Sequence, residues 1–599
     1  MKRLLITTAD ERTWRRDGPV LFLGEWCRLY DRRAAWAGLD AEVVPYHWDD
    51  RTQLDNDYAR LQSIYEELLH DTGAALNEQH RTDHSLRYWR ILIGPWLFQF
   101  VHVAYDRWAM ILKASESHDI ERTLVYDSPP GALTAPDLRH SSFQSTRWNH
   151  YMFGKAIEHQ DRIPWDRVPA HPEEAMPARR VQGPTWRRTA LAGLRDGLSS
   201  VLQGLAGDDE AMIIQTYLPR FEEMKLQAVL GQAPKLWTIP REIPPVPPNM
   251  SRRQGMRIAT ESPDAFVRFA ASMIPEQLPT VFLEGYRSLT RAAELLPWPS
   301  RPRVIFTSNL DWLCTVFQEW AATKVEAGHP LVIGQHGGFV GTARRHPVED
   351  HQLKTSDRYL SWGWSGDDPR VQPAMIFTNV GKPMSTWRPS GGLLLVTASM
   401  PLYAYRCFSQ PVGPGQSVAF VEDQIRFATA LGEAVRARLT VRINQALDRE
   451  YGACHIERWR EAVPEIDIDP SVRPIEGPMR RCRLFVYTYN STGFLESLAR
   501  NIPTLMFWNP GYFELRPAAE PYFDLLARAR IYHAAPESAA EHAMEIWDDV
   551  AGWWNQPAVQ QARHAFCERY ARMPRSPLRV LKEALLTASV RAAAQEALP

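Results

Sequence analysis

The chain has 599 residues, a length that exceeds one hydrophobic core and predicts roughly three to four domain-sized units. Its 69 Lys plus Arg against 70 Asp plus Glu give a formal net charge of −1, which argues against a nucleic-acid partner, since such partners call for a basic domain or stripe. The six cysteines are scattered without a Cys-x-x-Cys pair, so neither a disulfide framework nor a zinc site is supported.

Short apolar segments and longer amphipathic segments alternate in the first part of the chain. The opening residues Lys2–Thr7 read as a strand and lack the apolar core of a signal peptide. The longest apolar run, Ile91–Ala104, is shorter than the roughly 20 residues that span a bilayer. We therefore expect a cytoplasmic protein and leave open a peripheral contact with the inner face of the cytoplasmic membrane. The other elements predicted here are strands Val20–Gly24, Glu42–Pro45, Thr123–Tyr126, Ala211–Thr216, Arg303–Thr307 and Pro330–Gly334, and helices Tyr58–Leu76, Ser85–Leu112, Phe266–Leu283 and Asp311–Ala327.

A polar, Pro- and Gly-marked segment at 381–391 separates this part from a second alternating unit. The same alternation on both sides predicts an α/β fold with two Rossmann-like parallel-sheet domains facing a cleft, with extra helices in the N-terminal half. We place the domains at 1–382 and 392–575, with a linker at 383–391 and a C-terminal helix or tail at 576–599. The elements predicted in the second unit are strands Gly392–Val396, Leu439–Ile443, Leu484–Thr488 and Thr504–Phe507, and helices Val418–Leu431, Gly493–Arg500, Ala539–Val550 and Pro557–Tyr570.

Acidic and histidine side chains follow the first three predicted strands. Asp10 and Glu25 come after the first and second strands, where a carboxylate can act as a general base toward an acceptor hydroxyl. His47 and Asp49 follow the third strand and are candidates for contacting the acceptor. The competing interpretation for each acid is a helix N-cap, a position that Asp favours.

The segment Gly334–Gly338, Gly-Gln-His-Gly-Gly, directly follows a buried strand. Glycines let the backbone turn and approach a ligand closely, so Gln335, Gly337 and His336 are candidates for the donor site and for catalysis. A polar loop whose histidine caps a turn is the alternative. The nearby His346, His351 and acids match no common metal-binding spacing, and we expect no metal and no other cofactor.

The most informative segment, Arg483–Trp508, reads as buried strand, polar turn, short helix and second buried strand. Its turn places backbone N–H groups at a helix N-terminus, an arrangement that favours a phosphate. Arg442, at the end of a buried strand, could pair with a donor phosphate, and Glu496 could accept from ribose hydroxyls. An ordinary capped helix is the alternative. The turn residues proposed to bind the donor are Asn490, Ser491, Thr492 and Gly493.

Several common nucleotide and nucleophile motifs are absent. The chain has no Gly-x-x-x-x-Gly-Lys-Ser/Thr and no Gly-x-Gly-x-x-Gly after the first strand, which weakens a P-loop or a dinucleotide-binding domain. A Gly-x-Ser-x-Gly elbow is also missing, which weakens an α/β-hydrolase.

These segments together resemble a family of transferases encoded in bacterial O-antigen and surface-polysaccharide loci. The resemblance implies the GT-B glycosyltransferase fold. More distantly, the Gln-His-Gly and Ser-Thr turns are similar to those of GT-B enzymes that transfer Kdo, sialic acid or glycerol phosphate. In those enzymes a Ser-Ser/Thr turn and a His-Pro pair hold the phosphate. Ser491-Thr492 matches the first, and His329-Pro330 and His346-Pro347 are both candidates for the second. The segments that carry the resemblance are Lys2–Trp14, Leu21–Cys27, Val44–Asp50, Asp83–Trp96, Gln335–Gly338, Ser361–Trp364 and Arg483–Trp508.

The resemblance implies a glycosyltransferase that moves a sugar, such as a Kdo- or sialic-acid-like ulosonic acid, from a nucleotide donor. The expected partners are a nucleotide sugar and a glycan or lipid-linked glycan acceptor of surface-polysaccharide assembly. Two alternatives stay open: a CDP-linked glycerol- or ribitol-phosphate transferase, and a non-catalytic protein that binds a sugar nucleotide.

Overall fold

The structure of the protein is a computed structural model that describes residues 2–138, 143–170, 207–258, 262–382, 387 and 390–596. Its strands form three parallel sheets of five, five and six strands. Strands such as Leu393–Val396 are apolar throughout and fully buried, as expected where helices cover both faces of a sheet. The predicted α/β class with parallel sheets is confirmed. The segment 1–382, predicted as one sheet-containing domain, holds two sheets.

The strands are numbered in chain order, and all pairs between them are parallel. The first sheet has the order β3-β2-β1-β4-β5, the second β10-β9-β8-β7-β6, and the third β13-β12-β11-β14-β15-β16. Their bounds are β1 Arg3–Ile6, β2 Val20–Phe22, β3 Ala41–Val43, β4 Ile120–Asp127, β5 Trp165–Pro169, β6 Met212–Ile213, β7 Ile305–Thr307, β8 Leu331–Gly334, β9 Arg358–Ser361, β10 Val371–Pro373, β11 Leu393–Val396, β12 Leu439–Arg442, β13 Asp467–Asp469, β14 Leu484–Tyr487, β15 Thr504–Phe507 and β16 Tyr532–His533.

The α-helices of the described residues connect these strands. Their bounds are α1 Arg33–Trp36, α2 Arg51–His80, α3 Leu86–Ser117, α4 Thr146–Gln160, α5 Arg220–Val229, α6 Met250–Gln254, α7 Ala265–Gln277, α8 Tyr286–Glu294, α9 Leu310–Leu313, α10 Thr315–Glu326, α11 Pro347–Thr355, α12 Pro414–Ala430, α13 Glu433–Arg436, α14 Gln445–Tyr451, α15 His455–Ala462, α16 Glu476–Arg481, α17 Thr492–Ala499, α18 Glu520–Arg528, α19 Pro536–Glu545, α20 Val550–Trp554, α21 Pro557–Tyr570 and α22 Pro577–Glu596.

Strand order reverses within the first and third sheets, between β1 and β4 and between β11 and β14. Open parallel sheets bind ligands outside the carboxyl ends of their strands at such a point, because the connections leave in opposite directions and open a crevice. The second sheet runs in sequential order and has no reversal. The crevices of the first and third sheets are therefore the places to look for a site.

Helix α3 contains the long apolar run and forms the centre of the N-terminal half. It begins at Ser85, whose hydroxyl accepts from the Tyr88 N–H at 3.2 Å. Most of its side chains are buried, and it packs against α2, α10 and α11. This helix therefore joins the first two sheets. No helix of the described residues is long and apolar enough to cross a membrane.

Ion pairs tie the three sheet-containing units together at one buried junction. Arg51 of α2 donates to both carboxylate oxygens of Glu514, at 2.6 and 2.9 Å. Arg345, which is 2% exposed, pairs with the same Glu514 and with Asp55 of α2. A buried pair of this kind is costly to break from one side, because the remaining charge is left without a partner. The junction therefore links residues from all three units.

Two predictions about chain organisation fall partly outside the described residues. Of the linker 383–391, only 387, 390 and 391 are described. Of the tail 576–599, helix α22 is described, and the Ala584 carbonyl in it accepts from Arg358 of β9 at 2.9 Å. The C-terminal helix thus packs on the second sheet. The domain bounds themselves stay a prediction.

Candidate functional site

One long loop connects β11 to α12 at the reversal point of the third sheet. This β11–α12 loop, residues 397–413, touches both other units. Its Ala404 carbonyl accepts from the buried Arg107 at 2.8 Å, and the Tyr403 carbonyl accepts from Gln144 at 2.8 Å. Ser409 exchanges hydrogen bonds with the backbone of Arg345 at 3.0 and 3.2 Å. The loop is held from several sides and places its side chains between the sheets.

Arg406 projects from this loop into an aromatic enclosure. Its guanidinium carbon lies 5.0 Å from the Trp312 ring centre, 4.7 Å from that of Tyr405 and 5.4 Å from that of Phe408. Among the described residues it forms no ion pair, and its buried Nε has no hydrogen-bond partner. Burial lowers the pKa of Arg406 from its ordinary value, yet an arginine stays protonated. A half-buried cation that packs on aromatic faces and has no acidic partner among the described residues is a ready site for an anion.

Two imidazoles border the same enclosure. The ring of His336, just after β8, lies 5.5 Å from Trp312 and 6.1 Å from His346. The charge of Arg406 lowers the pKa of both, but burial is the larger cause, bringing His336 to about 4 and His346 well below its usual range. Both rings are therefore neutral near pH 7.

The hydrogen bonds of the two rings leave specific nitrogens available. His346 caps α11, and its Nδ1 accepts from the Glu349 N–H at 2.9 Å, so the neutral ring carries its proton on Nε2. That Nε2, like Nδ1 of His336, is buried without a hydrogen-bond partner in the described part of the chain. A water or a ligand can pair with such atoms.

Asp311 is a buried acid in the neighbourhood of His336. The Gln352 amide donates to Asp311 Oδ2 at 2.9 Å, and the Gln352 side chain is also near enough to His336 to raise that imidazole's pKa against the larger effect of burial. Burial raises the pKa of Asp311 itself to about 7, and its Oδ1 has no partner among the described residues. Gln352, His336 and Asp311 thus form one polar cluster.

Replacing Asp311 with asparagine should stabilise the protein at pH 8. The folded-state pKa of about 7 exceeds the ordinary 3.8, so ionised Asp311 destabilises the folded state fully above pH 7, and less and less as pH falls toward 4. Urea unfolding should show a gain of roughly 2 to 4 kcal/mol at pH 8 that disappears near pH 4. Asp17→Asn, at a side chain 88% exposed, serves as control. An equal effect of Asp311→Asn at both pH values would contradict the expectation.

The predicted phosphate turn, 490–493, lies directly against the loop after β8. The Gly338 N–H donates to Thr492 Oγ1 at 3.2 Å, and a Cβ on Gly338 would overlap the backbone of Ser491 and Thr492. The Asn490 amide donates to Thr342 at 3.1 Å, and the Gly493 N–H donates to the Tyr487 hydroxyl at 3.3 Å. The structure therefore brings the two predicted segments together, and these contacts engage the Asn490 side chain, the Thr492 hydroxyl and the Gly493 N–H. Ser491 Oγ makes no hydrogen bond to the described residues.

The two predicted N-terminal carboxylates lie in different surroundings. Asp10 caps a short helical turn and binds the Arg12 guanidinium and the Tyr126 hydroxyl, each at 2.7 Å. Burial would raise its pKa, but these hydrogen bonds prevail and lower it. The cap interpretation thus describes Asp10. Glu25 pairs with Arg28 and lines a small cavity together with residues of the third unit, among them Met400, Ser417 and Arg458.

Two predicted donor-binding residues, Arg442 and Gln335, are engaged by the protein itself. The Arg442 guanidinium binds Asp469 and the Arg473 carbonyl. Gln335 donates to the Gly337 and Val340 carbonyls and accepts from the Trp362 N–H and the Trp364 indole, both at 2.8 Å. Gln335 thus shapes the loop, and its side chain is already bound on both ends. Glu496 lies one turn after Thr492, where burial raises its pKa. Gly337 has open space around it: a Cβ added at this position would lie 3.9 Å from its nearest neighbour, Val340.

The predicted acceptor residues are also bound within the fold. His47 is buried, and its Nε2 lies 3.0 Å from Asp106, which also binds Tyr46 and Arg107. This cluster belongs to the packing between the first three strands and α3. Asp49 is exposed and accepts from Gln416 of α12 at 2.9 Å. Neither side chain borders the Arg406 enclosure, and their acceptor role stays a prediction.

Arg406 is not among the residues predicted from the sequence, and His346 is one of two candidates for the His-Pro pair. The only sign of Arg406 in the sequence is its position in the loop segment Tyr405-Arg-Cys-Phe408, which follows a buried strand. This sequence does not show whether the arginine has an acidic partner in the fold. The two His-Pro pairs differ clearly in position: His329 precedes β8 at the amino end of that strand, and His346 borders the enclosure.

Within the described ranges, no group of three or more His, Cys, Asp and Glu could hold a metal ion. The expected absence of metal stays a prediction.

Comparison with known proteins places the chain in a family. Two solved structures match with low overall similarity: spinosyn rhamnosyltransferase SpnG complexed with spinosyn aglycone (16% identity, 52% of this chain and 76% of that one, TM-score 0.26) and SpnG alone (14%, 50%, 75%, TM-score 0.28). No curated protein matches the chain. The sequence model of the LIC12162 family transferases matches residues 3–585, nearly the full length. The chain therefore belongs to the LIC12162 family of transferases.

Proposed function

We propose that the protein transfers a glycosyl residue from a nucleotide-activated donor, with the donor phosphate bound at Arg406. The observation that carries the proposal is the guanidinium of Arg406, which is half-buried, packed on Trp312 and without an acidic partner in the described part of the chain. A phosphate there would supply the missing counter-charge. The Nε2–H of His346 and the hydroxyl of Ser491 are further donors for its oxygens.

The proposed chemistry is direct transfer between two oxygens. The acceptor hydroxyl attacks the anomeric carbon, the bond from that carbon to the phosphate oxygen breaks, and the nucleotide leaves with the electron pair. Arg406 and His346 stabilise the negative charge that develops on the leaving phosphate. The acceptor's proton passes to Nδ1 of His336, which is neutral and unpaired among the described residues. Glu25 is the alternative base, since it lines a cavity beside the β11–α12 loop.

The donor and acceptor follow from the family resemblance rather than from geometry. We propose a nucleotide-linked ulosonic acid similar to Kdo or sialic acid as donor, and a surface-polysaccharide or lipid-linked glycan as acceptor. A CDP-linked polyol would present the same phosphate chemistry to Arg406. A donor screen must therefore contain both nucleotide sugars and CDP-linked polyols.

A thermal-shift screen followed by a nucleotide-release assay tests this function. A true donor should raise the melting temperature by mass action, and its nucleotide should be released only when acceptor is added. The screen contains CMP-, UDP-, GDP- and dTDP-linked sugars together with CDP-glycerol and CDP-ribitol. A shift without release under any acceptor would favour the non-catalytic binding protein, and no shift with any nucleotide would refute the proposal.

Replacing His336 and Glu25 in turn should show which of the two is the general base. We expect His336→Ala to lower kcat by about 100- to 10,000-fold, the usual contribution of a positioned general base. Free imidazole should restore part of the rate at pH 8. The paired variant Glu25→Gln should keep kcat within a few-fold. If Glu25→Gln lost this activity and His336→Ala kept its kcat, Glu25 would be the general base instead.

A further inference from the structure

A second, partly open cavity lies near the amino ends of strands in the second sheet. Between α8 and α10 is a cavity of about 420 Å³, within the size range of small-molecule sites. It is lined by Trp298, just before β7, and by Thr323 and Lys324, in the last turn of α10 before β8. These residues mark the amino ends of the strands, so the cavity is separate from the Arg406 enclosure at the carboxyl ends.

The walls of this cavity are aromatic. The indoles of Trp298 and Trp320 are nearly perpendicular, at 89°, with centres 5.1 Å apart. Tyr286 lines the same space. All three side chains are mostly buried and held by the surrounding core. They therefore offer rigid, flat apolar faces on more than one side of a ligand.

The cavity also contains a buried carboxyl group. Glu319 is 3% exposed, and its Oε2 accepts from the Tyr88 hydroxyl at 2.6 Å. The Tyr88 and Tyr286 hydroxyls lie 2.7 Å apart, and Tyr286 lies 3.1 Å from His84, which in turn lies 2.6 Å from Glu326. This chain of hydrogen bonds fixes the carboxyl group in place. Its Oε1 makes no hydrogen bond to the described residues.

The rim adds a cation and hydroxyl groups. Lys324 forms no ion pair within the described ranges, and burial lowers its pKa. The hydroxyl protons of Thr290 and Thr323 are donated to backbone carbonyls, so their oxygens are left as acceptors. A ligand that satisfies this lining needs flat apolar faces, several donors for the carboxylate and threonines, and acceptors for the lysine. A hydroxylated ring has all of these.

We propose that this cavity binds a pyranose ring, as a glycosyl-binding site distinct from the reaction cleft. Ring hydroxyls donate to Oε1 of Glu319 and accept from Lys324, and the C–H faces of the ring pack on Trp298 and Trp320. The inference does not depend on the proposed transfer reaction, because none of these residues borders Arg406.

Calorimetric titration of the full chain with methyl glycopyranosides tests this site. The ligands are the α- and β-methyl glycosides of glucose, galactose, mannose, rhamnose and N-acetylglucosamine, with benzylamine as the aromatic cation that could also enter. We expect saturable binding of at least one glycoside. Trp320→Ala and Glu319→Gln should each weaken it at least tenfold, and Thr290→Phe should block the cavity and leave the buried carboxyl cluster unchanged.

Two control variants make the result specific. Asp17→Asn changes an exposed acid outside the cavity lining, and Arg406→Ala changes the other site, so both should bind the glycoside as the unmodified protein does. Circular dichroism and melting curves check that each variant folds. The proposal fails if no glycoside binds saturably, if Thr290→Phe and Trp320→Ala bind unchanged, or if benzylamine binds more tightly than every glycoside.

Discussion

Replacing Arg406 with alanine should abolish most of the activity without weakening the fold. Because a charge-assisted hydrogen bond to a developing anion is strong, we expect kcat/KM to fall about 100- to 1,000-fold. The free energy of unfolding should stay the same or rise, since the variant removes a half-buried cation whose charge no described acid neutralises. Arg406→Lys keeps the charge and loses the planar fork, so its activity should be intermediate. Nucleotide release and urea unfolding measure the two quantities.

A matched arginine is available in the same sheet. The guanidinium of Arg483 lies 5.1 Å from the ring centre of Trp547 at the amino end of β14, away from the cleft. Arg483→Ala should therefore keep full activity. Should Arg406→Ala retain both its rate and its nucleotide-induced melting shift, the phosphate would have to bind elsewhere and the proposed function would lose its main support.

Replacing Gly338 with alanine should damage both the fold and the reaction. A Cβ at this position would overlap backbone atoms of Ser491 and Thr492, which cannot turn away as a flexible side chain can. We expect a loss of about 1 to 3 kcal/mol in the free energy of unfolding, as for other overpacked sites. A displaced Ser491 should also lower kcat/KM by about 100-fold, since small misplacements at a reacting centre are costly.

The neighbouring glycine gives the control. A Cβ on Gly337 would lie 3.9 Å from its nearest neighbour, an ordinary contact, so Gly337→Ala should change the melting temperature little. If both substitutions were equally tolerated, the close approach of the two loops would not hold in solution.

The central strands could be predicted from sequence because they are apolar throughout. Leu393–Val396 and Leu484–Tyr487 are examples. Edge strands such as Asp467–Asp469 were missed, since they are polar and partly exposed and so give no apolar run. The existence of a separate second sheet could not be predicted either. Which strands pair depends on contacts between distant segments, which a local pattern does not contain.

The candidate site shows the same division. Strand-end position correctly brought the 334–338 loop and the 490–493 turn to one place, as the hydrogen bond from Gly338 to Thr492 shows. It could not reveal that Gln335 is bound by Trp362 and Trp364, 27 and 29 positions away. For Arg406 and Arg442 the difficulty is the same. The sequence shows that both residues are positively charged. Only the fold shows that Asp469 neutralises Arg442.

The junction of Arg51, Arg345, Asp55 and Glu514 also bears on how the protein can be divided. A fragment ending before the third sheet would expose Arg345 without Glu514, and the third sheet expressed alone would lack Trp312, the aromatic face beneath Arg406. Neither piece would contain a complete anion site. Two fragments cut in the 383–391 segment should therefore regain nucleotide binding only when they are mixed. Binding would then serve as a direct readout of assembly between separately made parts.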